Sequence, residues 1–245
     1  MSHAFYLYGI FPAPGPVGLT LEGLDRQPLK TQTIREFTLL YSDAQQERYL
    51  TSRRNLLGHE QVLEHAMTEG YRTLLPLQFG LTIHSWDSVD QQLLTPQREA
   101  LNHLFTKLVG RREVGVKVFW QPEAELEQLM TDNQLLRTQR DRLQGSTLSM
   151  DQVIHVGQAI ELAIEARQQA IIQVFQQTLN PLAIETVENT LLTHTMIYNA
   201  AYLIPWEDES PFGKQVEALD RQFEGRLKIR YNNLTAPYNF ARLGE

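Results

Sequence analysis

The sequence predicts an α+β protein of two domains, the C-terminal one ferredoxin-like. Its 245 residues exceed one average domain, so two compact domains are expected. Hydrophobic residues make up 42% of the chain and charged residues 21%, and both shares are typical of globular proteins. The second half carries strand and helix patterns in the order β-α-β-β-α-β. That order predicts an antiparallel sheet with helices on one face, here with an enlarged first helical crossover.

The first half begins with two strand patterns. Residues 4–11 carry bulky apolar side chains at both parities, which predicts a central strand covered on both faces. Prolines and a glycine at positions 12–16 then predict a turn. From Thr33 to Tyr41 apolar and polar side chains alternate loosely, which predicts a single half-exposed second strand.

Two helices follow these strands. Apolar residues recur at helical spacing from His59 to Met67, and Gly70 stands where a glycine commonly ends a helix. Thr95 precedes a proline suited to the first helical position, which predicts that a second helix opens there and runs to Gly110. The linker between the two domains is expected directly after this glycine.

The second half opens with a strand whose buried face is clear from its spacing. Val114, Val116 and Val118 recur at every second position, the pattern of a strand with one buried face. A helical region follows, beginning at Pro122 and restarting at a capping box that opens at Ser149. This long helical region is the enlarged crossover.

Three further patterns complete the second half. Residues 183–188 and 195–204 are predicted to be two strands joined as a hairpin. An apolar stripe over residues 212–223 predicts a helix, and alternation over residues 227–231 predicts the last strand. The predicted divisions of the chain are residues 1–110, residues 111–236 and a tail of residues 237–245.

The composition excludes several classes of function. The absence of cysteine excludes disulfides, thiolate metal sites and cysteine nucleophiles. A formal charge of −7 argues against nucleic acid as the main partner, because binding a phosphate backbone requires a positive surface. The charge-free stretch at residues 189–206 is too polar to span a lipid membrane, and the N-terminus lacks the basic start of a signal peptide. A cytoplasmic protein is therefore expected.

The residue spacing in this sequence does not match any of the catalytic or metal-binding motifs considered. His59 and His65 stand six residues apart, whereas a zinc-protease helix needs histidines four apart to present both rings on one face. Both histidines are expected to face the surface or cap a helix, so changing both to alanine should leave folding intact. No serine lies in a GxSxG context and no glycine-rich phosphate loop is present. The sequence therefore predicts no catalytic, cofactor or metal site and favours a protein that works by binding other proteins.

Two features leave alternatives open. Arg137, Arg140 and Arg142 form a basic group that is either a solvated helix face or a contact for an acidic partner. Tyr198, Tyr202 and Trp206 lie at one parity of a predicted strand, where they would either pack in the core or form a platform that stacks RNA bases. The lack of interleaved Arg or Lys favours core packing.

Four segments, in order along the whole chain, resemble the GvpF/GvpL family of gas vesicle proteins. They are Tyr6-Leu7-Tyr8-Gly9-Ile10, Leu74-Leu75-Pro76-Leu77-Gln78-Phe79-Gly80, Glu113-Val114-Gly115-Val116-Lys117-Val118 and Pro237-Tyr238-Asn239-Phe240. The second and third are the more specific signals. The ending departs from the family's usual Gly-Pro-x-Pro-Tyr-x-Phe, because Leu234-Thr235-Ala236 precedes the proline here.

The resemblance implies a minor structural component or assembly factor of the gas vesicle, located at the vesicle within the cytoplasm. It brings no catalytic residues and no cofactor. The partners it implies are the shell protein GvpA and other accessory gas vesicle proteins. A ligand-sensing ferredoxin-like regulatory protein is the alternative, since ferredoxin-like domains also serve as small-molecule sensors.

The C-terminal segment supplies the predicted interaction residues, Pro237, Tyr238 and Phe240. Chain ends usually fray unless something holds them, and two aromatic rings in a short polar tail favour docking on the first domain. The alternative is a flexible tail whose rings contact only a partner protein.

Overall fold

The computed structural model describes residues 4–143 and 150–243, which form helices and two antiparallel sheets. Close packing divides the chain into two units. The N-terminal unit contains the chain up to Val114, then Leu203–Glu207 and the chain from Asn233 onward. The C-terminal unit contains Gly115–Tyr202 and Asp208–Asn232.

The first sheet belongs to the N-terminal unit. Its elements are β1 (Phe5–Pro12), β2 (Lys30–Ile34), β3 (Phe37–Asp43), α1 (Arg53–Thr68), β4 (Leu75–Pro76), β5 (Thr82–Ile83), α2 (Trp86–Val89) and α3 (Arg98–Leu108). The strand order is β2-β3-β1-β4, and β5 also pairs with β1. The central position predicted for the first strand is confirmed, because six of its eight residues are buried.

The single strand predicted from Thr33 to Tyr41 is wrong. The chain forms two strands there, with Arg35 at the turn between them in a left-handed conformation, φ 56°. Turns that need a left-handed residue usually carry glycine or asparagine at that position. An arginine there does not predict a turn. β3 is also more buried than predicted, because Leu40 packs in the cluster that includes Leu63 of α1 and the Phe37 ring stacks with Phe105 of α3.

Both helices predicted in the first half form, but each begins at a different residue from the one predicted. α1 begins at Arg53, because the hydroxyl of Ser52 accepts a hydrogen bond from the N–H of Asn55 at 3.2 Å and caps the helix. The start predicted at Thr95 is wrong. Asp90–Leu94 already form a π-helical turn, the Thr95 hydroxyl donates to Asp90, and α3 begins at Arg98.

The second sheet contains the later strands. They are β6 (Arg111–Trp120), β7 (Glu185–Glu188), β8 (Met196–Pro205) and β9 (Leu227–Thr235), in the order β7-β8-β6-β9. The predicted buried face of the first of these is confirmed, because Val114, Val116 and Val118 are fully buried. β8 is the most buried strand, with nine of its ten residues inside.

Four helices accompany this sheet. They are α4 (Pro122–Asp132), α5 (Gln134–Leu143), α6 (Met150–Leu179) and α7 (Glu209–Gln222). The predicted capping box opens at Ser149, which lies outside the described residues. The apolar stripe of α6 buries Ile171, Phe175 and Leu179, whereas Met150 near its start is 76% exposed. None of the helices in the described part of the chain is long and apolar enough to cross a membrane.

The positions of Tyr198 and Tyr202 distinguish core packing from an exposed RNA-stacking platform. Tyr198 and Tyr202 are 2% and 0% exposed, and their hydroxyls lie 2.8 Å apart. Phe175 packs near the first ring and Phe212 near the second. The prediction of core packing is confirmed for both tyrosines. Trp206 follows the end of β8 and is only partly buried, packed against the core cluster that includes Tyr6.

Candidate interaction site

The C-terminal segment that carries the predicted interaction residues is folded into a tight turn. Pro237 accepts hydrogen bonds at its carbonyl from the N–H of Phe240 at 3.1 Å and of Ala241 at 2.9 Å. The proline ring fixes its own φ at the start of the turn, so this one residue gives up little further backbone freedom when the turn closes.

Both aromatic rings of the segment pack in the N-terminal unit, where Phe240 is buried and Tyr238 partly buried. Phe240 is 2% exposed, with the Lys107 ammonium 5.5 Å from its ring centroid. Tyr238 packs against the core cluster that includes Tyr6 and Leu63. Burial raises the pKa of Tyr238, and the negative charge of Glu60 adds to that rise. The tail therefore docks where the sequence predicted.

A buried carboxylate holds the turn in place. The Glu113 side chain is 3% exposed and accepts two hydrogen bonds from Asn239, one from its backbone N–H at 2.9 Å and one from its side-chain amide at 2.7 Å. Burial raises the pKa of Glu113 to about 7, although the bonds from Asn239 and the charge of Arg242 oppose the rise. The anchor is thus a group whose charge changes near neutral pH.

Sequence reasoning found the aromatic residues of the segment and missed its anchor. Glu113 opens the block that ends at Val118, and Asn239 stands between the two aromatic residues, so both lay within recognised segments. Their pairing bridges 126 residues, and a partner so distant gives no local signal. A direct role of Pro237, Tyr238 and Phe240 in binding a partner stays a prediction.

A second buried network links the first two family-like segments in the folded chain. The Tyr6 hydroxyl accepts from the Gly80 N–H at 3.0 Å and lies 2.9 Å from Nδ1 of His59. The other ring nitrogen of His59, Nε2, lies 3.1 Å from the carbonyl of Leu77. With Nε2 donating to this carbonyl, Nδ1 accepts from the tyrosine. The ring therefore ties α1 to both segments.

The surface or capping role expected of His59 is wrong. The residue is 2% exposed, and burial lowers its pKa to about 4, with the Leu77 carbonyl opposing that shift. A neutral imidazole is favoured because burial disfavours the charged form of the ring. Among the described residues, no group of three or more His, Asp or Glu side chains could hold a metal ion.

The neighbouring residues of the first segment are also fixed by close contacts. The Tyr8 hydroxyl accepts from the Leu24 N–H at 2.7 Å and lies 2.9 Å from the Ser42 hydroxyl. A Cβ atom added at Gly9 would lie 2.9 Å from Cδ2 of Leu63 and 3.1 Å from a backbone oxygen. A side chain at this position would therefore crowd α1 and β4, which approach β1 closely here.

An ionic cluster stabilises the C-terminal unit. The Glu125 carboxylate, with its side chain fully buried, accepts from Nε of Arg167 and from Nε of Arg226, both at 2.7 Å. Burial tends to raise the pKa of Glu125, but the two guanidinium groups lower it overall. Arg167 also bonds Asp132 at 2.8 Å. These bonds tie α4 to α6 and to the start of β9.

The basic group on α5 is partly neutralised within its own helix. Arg140 lies 2.7 Å from the Asp141 carboxylate, and Arg137 lies 3.8 Å from the same side chain. Each of these side chains is at least a third exposed. The solvated-face reading is favoured over a contact for an acidic partner.

The similarity to known proteins extends along the chain. The family model described as gas vesicle synthesis protein GvpL/GvpF matches residues 4–242. Gas vesicle protein F of Dolichospermum flosaquae is 55% identical over 243 residues, which cover 99% of each chain. That of Nostoc sp. strain PCC 7120 is 56% identical over 99% of this chain and 100% of its own. Gas vesicle protein F of Haloferax mediterranei is 22% identical over 98% of this chain and 94% of its own.

Two solved structures are similar along their whole length. The crystal structure of GvpF from Anabaena sp. PCC7120 has a TM-score of 0.86 at 52% identity, covering 100% of this chain and 98% of that one. The crystal structure of GvpF from Microcystis aeruginosa has a TM-score of 0.84 at 52% identity, covering 99% of this chain and 100% of that one.

Proposed function

Because this chain belongs to the gas vesicle synthesis protein GvpL/GvpF family, we propose that it binds the shell protein GvpA while gas vesicles form. It acts as an assembly factor and minor structural component, at the gas vesicle within the cytoplasm, and it works by binding and not by catalysis. The observation that carries the proposal is the match to gas vesicle protein F over 99% of both chains.

The physical reason for such a partner is the nature of a gas-filled shell. A subunit that builds a water-repelling inner surface exposes apolar area and strand edges until it is assembled, and both promote aggregation. A partner that covers these features keeps the subunit available for assembly. Exposed apolar side chains that suit this role lie along the first half of α6, where Ile154 is 50% exposed and Leu162 is 66% exposed.

The C-terminal segment contributes to this role by holding its own surface in a fixed shape. Pro237, Tyr238 and Phe240 form a turn that is folded before any partner arrives, so binding does not have to order it. The face of the turn open to solvent, and not its buried rings, is then available for contact with another gas vesicle protein.

The fold assigned to the second sheet is ferredoxin-like. Its strand order, β7-β8-β6-β9, supports this assignment. The helices α4, α5 and α6 between the first two strands in the chain form the enlarged crossover. An open sheet of this kind leaves its outer strands able to pair with another chain.

Deletion of the gene tests the proposal in the organism. We expect vesicles to be absent or malformed while GvpA is still expressed, with vesicles restored by the gene in trans. Purification of the tagged chain from cells that form vesicles should also recover GvpA. Normal, buoyant vesicles in the deletion strain, or a tagged chain that never recovers GvpA, would show that the proposed function is wrong.

A further inference from the structure

Residues 48–57 form a basic patch at the start of α1. Three arginines and three leucines are exposed there, which are Arg48, Arg53, Arg54, Leu50, Leu56 and Leu57. The first of the leucines is 74% exposed, and the two on the helix are 43% and 45% exposed. Within residues 4–143 and 150–243, none of the three arginines ion-pairs with a carboxylate. The patch therefore combines cations and apolar area that have no partner in the described chain.

The backbone around this basic patch is held in one conformation. The Leu50 carbonyl accepts from the Ser52 N–H at 2.8 Å and from the side-chain amide of Asn55 at 3.0 Å. Tyr49 is 4% exposed, and its hydroxyl accepts from the Gln45 N–H at 3.1 Å. Because this ring is fixed in the core, the residues on either side of it are presented to solvent. A partner meets a surface that is already ordered, so binding costs less conformational entropy.

Two of the arginines lie where positive charge is unfavourable to the free chain. The first turn of α1 reads Arg53-Arg54-Asn55-Leu56 and contains no carboxylate. The N–H groups at the start of a helix create a partial positive charge, so cations there are destabilising and anions are stabilising. A carboxylate supplied by a partner would offset the charge of the arginines and that of the helix end. The basic patch therefore favours a partner that is acidic as well as apolar.

The outer face of α6 has this composition. On the inner side, Ile160 and Ile164 pack toward α4 and α5. Six exposed residues of the first half of the helix form the acidic face, which are Met150, Asp151, Ile154, Glu161, Leu162 and Glu165. At about 100° per residue the six fall within about a third of the helix circumference, and the two isoleucines point away from them. Residues 150–166 contain neither Lys nor Arg.

The two surfaces favour a second copy of the chain as the occupant. Each supplies the charge that the other lacks, together with exposed apolar groups, and complementary charges give a contact its specificity. Two basic patches would repel each other, as would two acidic faces, so the contact joins unlike surfaces. The formal charge of −7 opposes an anionic lipid surface as the occupant of the basic patch.

We propose that the basic patch of one copy binds the acidic face of α6 of another copy. The two arginines at the start of α1 meet Glu161 and Glu165, and the leucines beside them cover Ile154 and Leu162. Because the two surfaces differ, each bound copy still offers one of them, and association continues beyond a dimer. The contact covers the side chains of α6 that suit the proposed role with the shell protein, so the two uses of that face exclude each other.

Sedimentation of the purified full chain measures this association without any other protein. We expect the average mass to rise past that of a dimer as the concentration increases toward about 1 mM, because small contacts bind weakly. Added salt should lower the average mass, since it screens exposed charges. A chain that stays monomeric at low salt up to this concentration overturns the proposal.

Charge reversal tests each surface separately. Arg53→Glu combined with Arg54→Glu reverses the basic patch, and Glu161→Lys combined with Glu165→Lys reverses the acidic face. Each pair should weaken the association at least about tenfold, because two attractive contacts become repulsive. All four positions are exposed, so the melting temperature should stay close to that of the unchanged chain.

A matched control changes the net charge and leaves both surfaces as they are. Lys214→Glu combined with Lys228→Glu adds the same negative charge as the arginine reversal, at exposed positions elsewhere. It should alter the association by less than about threefold, since distant exposed charges are largely screened. Equal weakening by this control and by the arginine reversal would assign the effect to net charge and overturn the proposal.

Mixing the two reversed variants distinguishes direct contact from a folding defect. Neither should associate alone, because its two surfaces then carry like charges. In the mixture the unchanged surface of each variant meets the unchanged surface of the other, and the two reversed surfaces also carry opposite charges. Association should therefore return to within about threefold of that of the unchanged chain. A mixture of two folded variants that stays monomeric would show that these surfaces do not meet.

Two results would assign the surfaces to other partners. If the unchanged chain is monomeric and the arginine reversal abolishes its binding to vesicles of anionic lipid, the basic patch binds a membrane. If it is monomeric and either reversal lowers the recovery of co-expressed GvpA, the surfaces bind the shell protein. Each result overturns this inference, and the second leaves the proposed function in place.

Discussion

Asn239 donates both its backbone N–H and its side-chain amide to the buried carboxylate of Glu113, at 2.9 and 2.7 Å. The pair closes the last turn of the chain onto the N-terminal unit across 126 residues of sequence. The ionised carboxylate suits both donors, whereas its burial favours the neutral acid. The balance between these effects makes the anchor sensitive to pH.

The first prediction is that Glu113 makes the stability of the chain fall as pH rises from about 4.5 to about 7. Its pKa is raised from 4.5 in the unfolded chain to about 7 in the folded one. The unfolded state therefore loses its proton first, and the stabilisation present at low pH is lost as pH rises through the folded pKa. The group should contribute a change of up to about 3 kcal/mol.

Urea unfolding at pH 5 and pH 8 measures this change. Glu113→Gln should reduce the difference between the two pH values, because the amide does not titrate in this range. Glu217→Gln, on the exposed face of α7, should leave the difference as it is in the unchanged chain. Equal pH dependence in the unchanged chain and Glu113→Gln would contradict the prediction.

The second prediction is that His59→Ala destabilises the chain by about 2–4 kcal/mol at pH 7, because a cavity forms and buried hydrogen bonds are lost. The exposed His103→Ala on α3 should change the free energy of unfolding by less than about 0.5 kcal/mol. The neutral imidazole also adds a pH dependence. Its stabilisation is complete above the unfolded pKa of 6.5 and is lost as pH falls through the folded pKa of about 4.

Denaturant unfolding of both histidine variants at pH 7 and pH 5 gives the comparison. Glu113 affects both chains alike, so the free energy of unfolding at pH 5 minus that at pH 7 should be lower in the unchanged chain than in His59→Ala, by up to about 2 kcal/mol. If both alanine variants unfold at the same urea concentration, the histidine network carries little of the stability of the N-terminal unit.

The third prediction concerns Glu125, which accepts hydrogen bonds from Arg167 and Arg226. Glu125→Ala should destabilise the chain by about 3–5 kcal/mol, because it removes the buried carboxylate that both partly buried guanidinium groups bind, and Arg167 keeps only its contact with Asp132. Asp132→Ala removes one half-exposed contact of Arg167, and it should cost only about 0–1 kcal/mol. Urea unfolding at pH 7 measures both, and similar losses would show that burial of the first carboxylate is unimportant.

Periodic patterns were the part of the fold that the sequence predicted well. Side chains of a strand alternate between its faces, so the valines at 114, 116 and 118 identified the buried face of β6 directly. Bulky residues at both parities likewise identified β1 as central. Each of these signals is local and repeated, and a few residues suffice to detect it.

Features that depend on distant partners were missed. Arg35 takes a left-handed conformation at the turn between β2 and β3, and nothing nearby in the sequence marks it. His59 is buried by residues of β1 and of the segment before Gly80, which converge only in the folded chain. The aromatic residues of the tail predicted docking by their apolar area, whereas the carboxylate that receives Asn239 could be found only from the structure.

The last prediction separates two roles for the C-terminal segment. Phe240 is 2% exposed, so Phe240→Ala should leave a cavity and destabilise the chain by about 3–5 kcal/mol. Deletion from Pro237 onward should cost at least as much, because it also removes both donors to Glu113 and leaves a buried carboxylate unpaired. Arg242→Ala, at an exposed position of the same tail, is the matched control and should cost less than about 1 kcal/mol.

Melting of the purified variants and recovery of co-expressed GvpA are measured on the same preparations. If the segment is docked as part of the N-terminal unit, Phe240→Ala should lower the melting temperature whether or not GvpA is present. A recognition peptide behaves differently, since its ring would be free until the partner arrives. Melting of Phe240→Ala at the temperature of the unchanged chain, together with loss of GvpA, would therefore rule out docking and assign the ring to the partner.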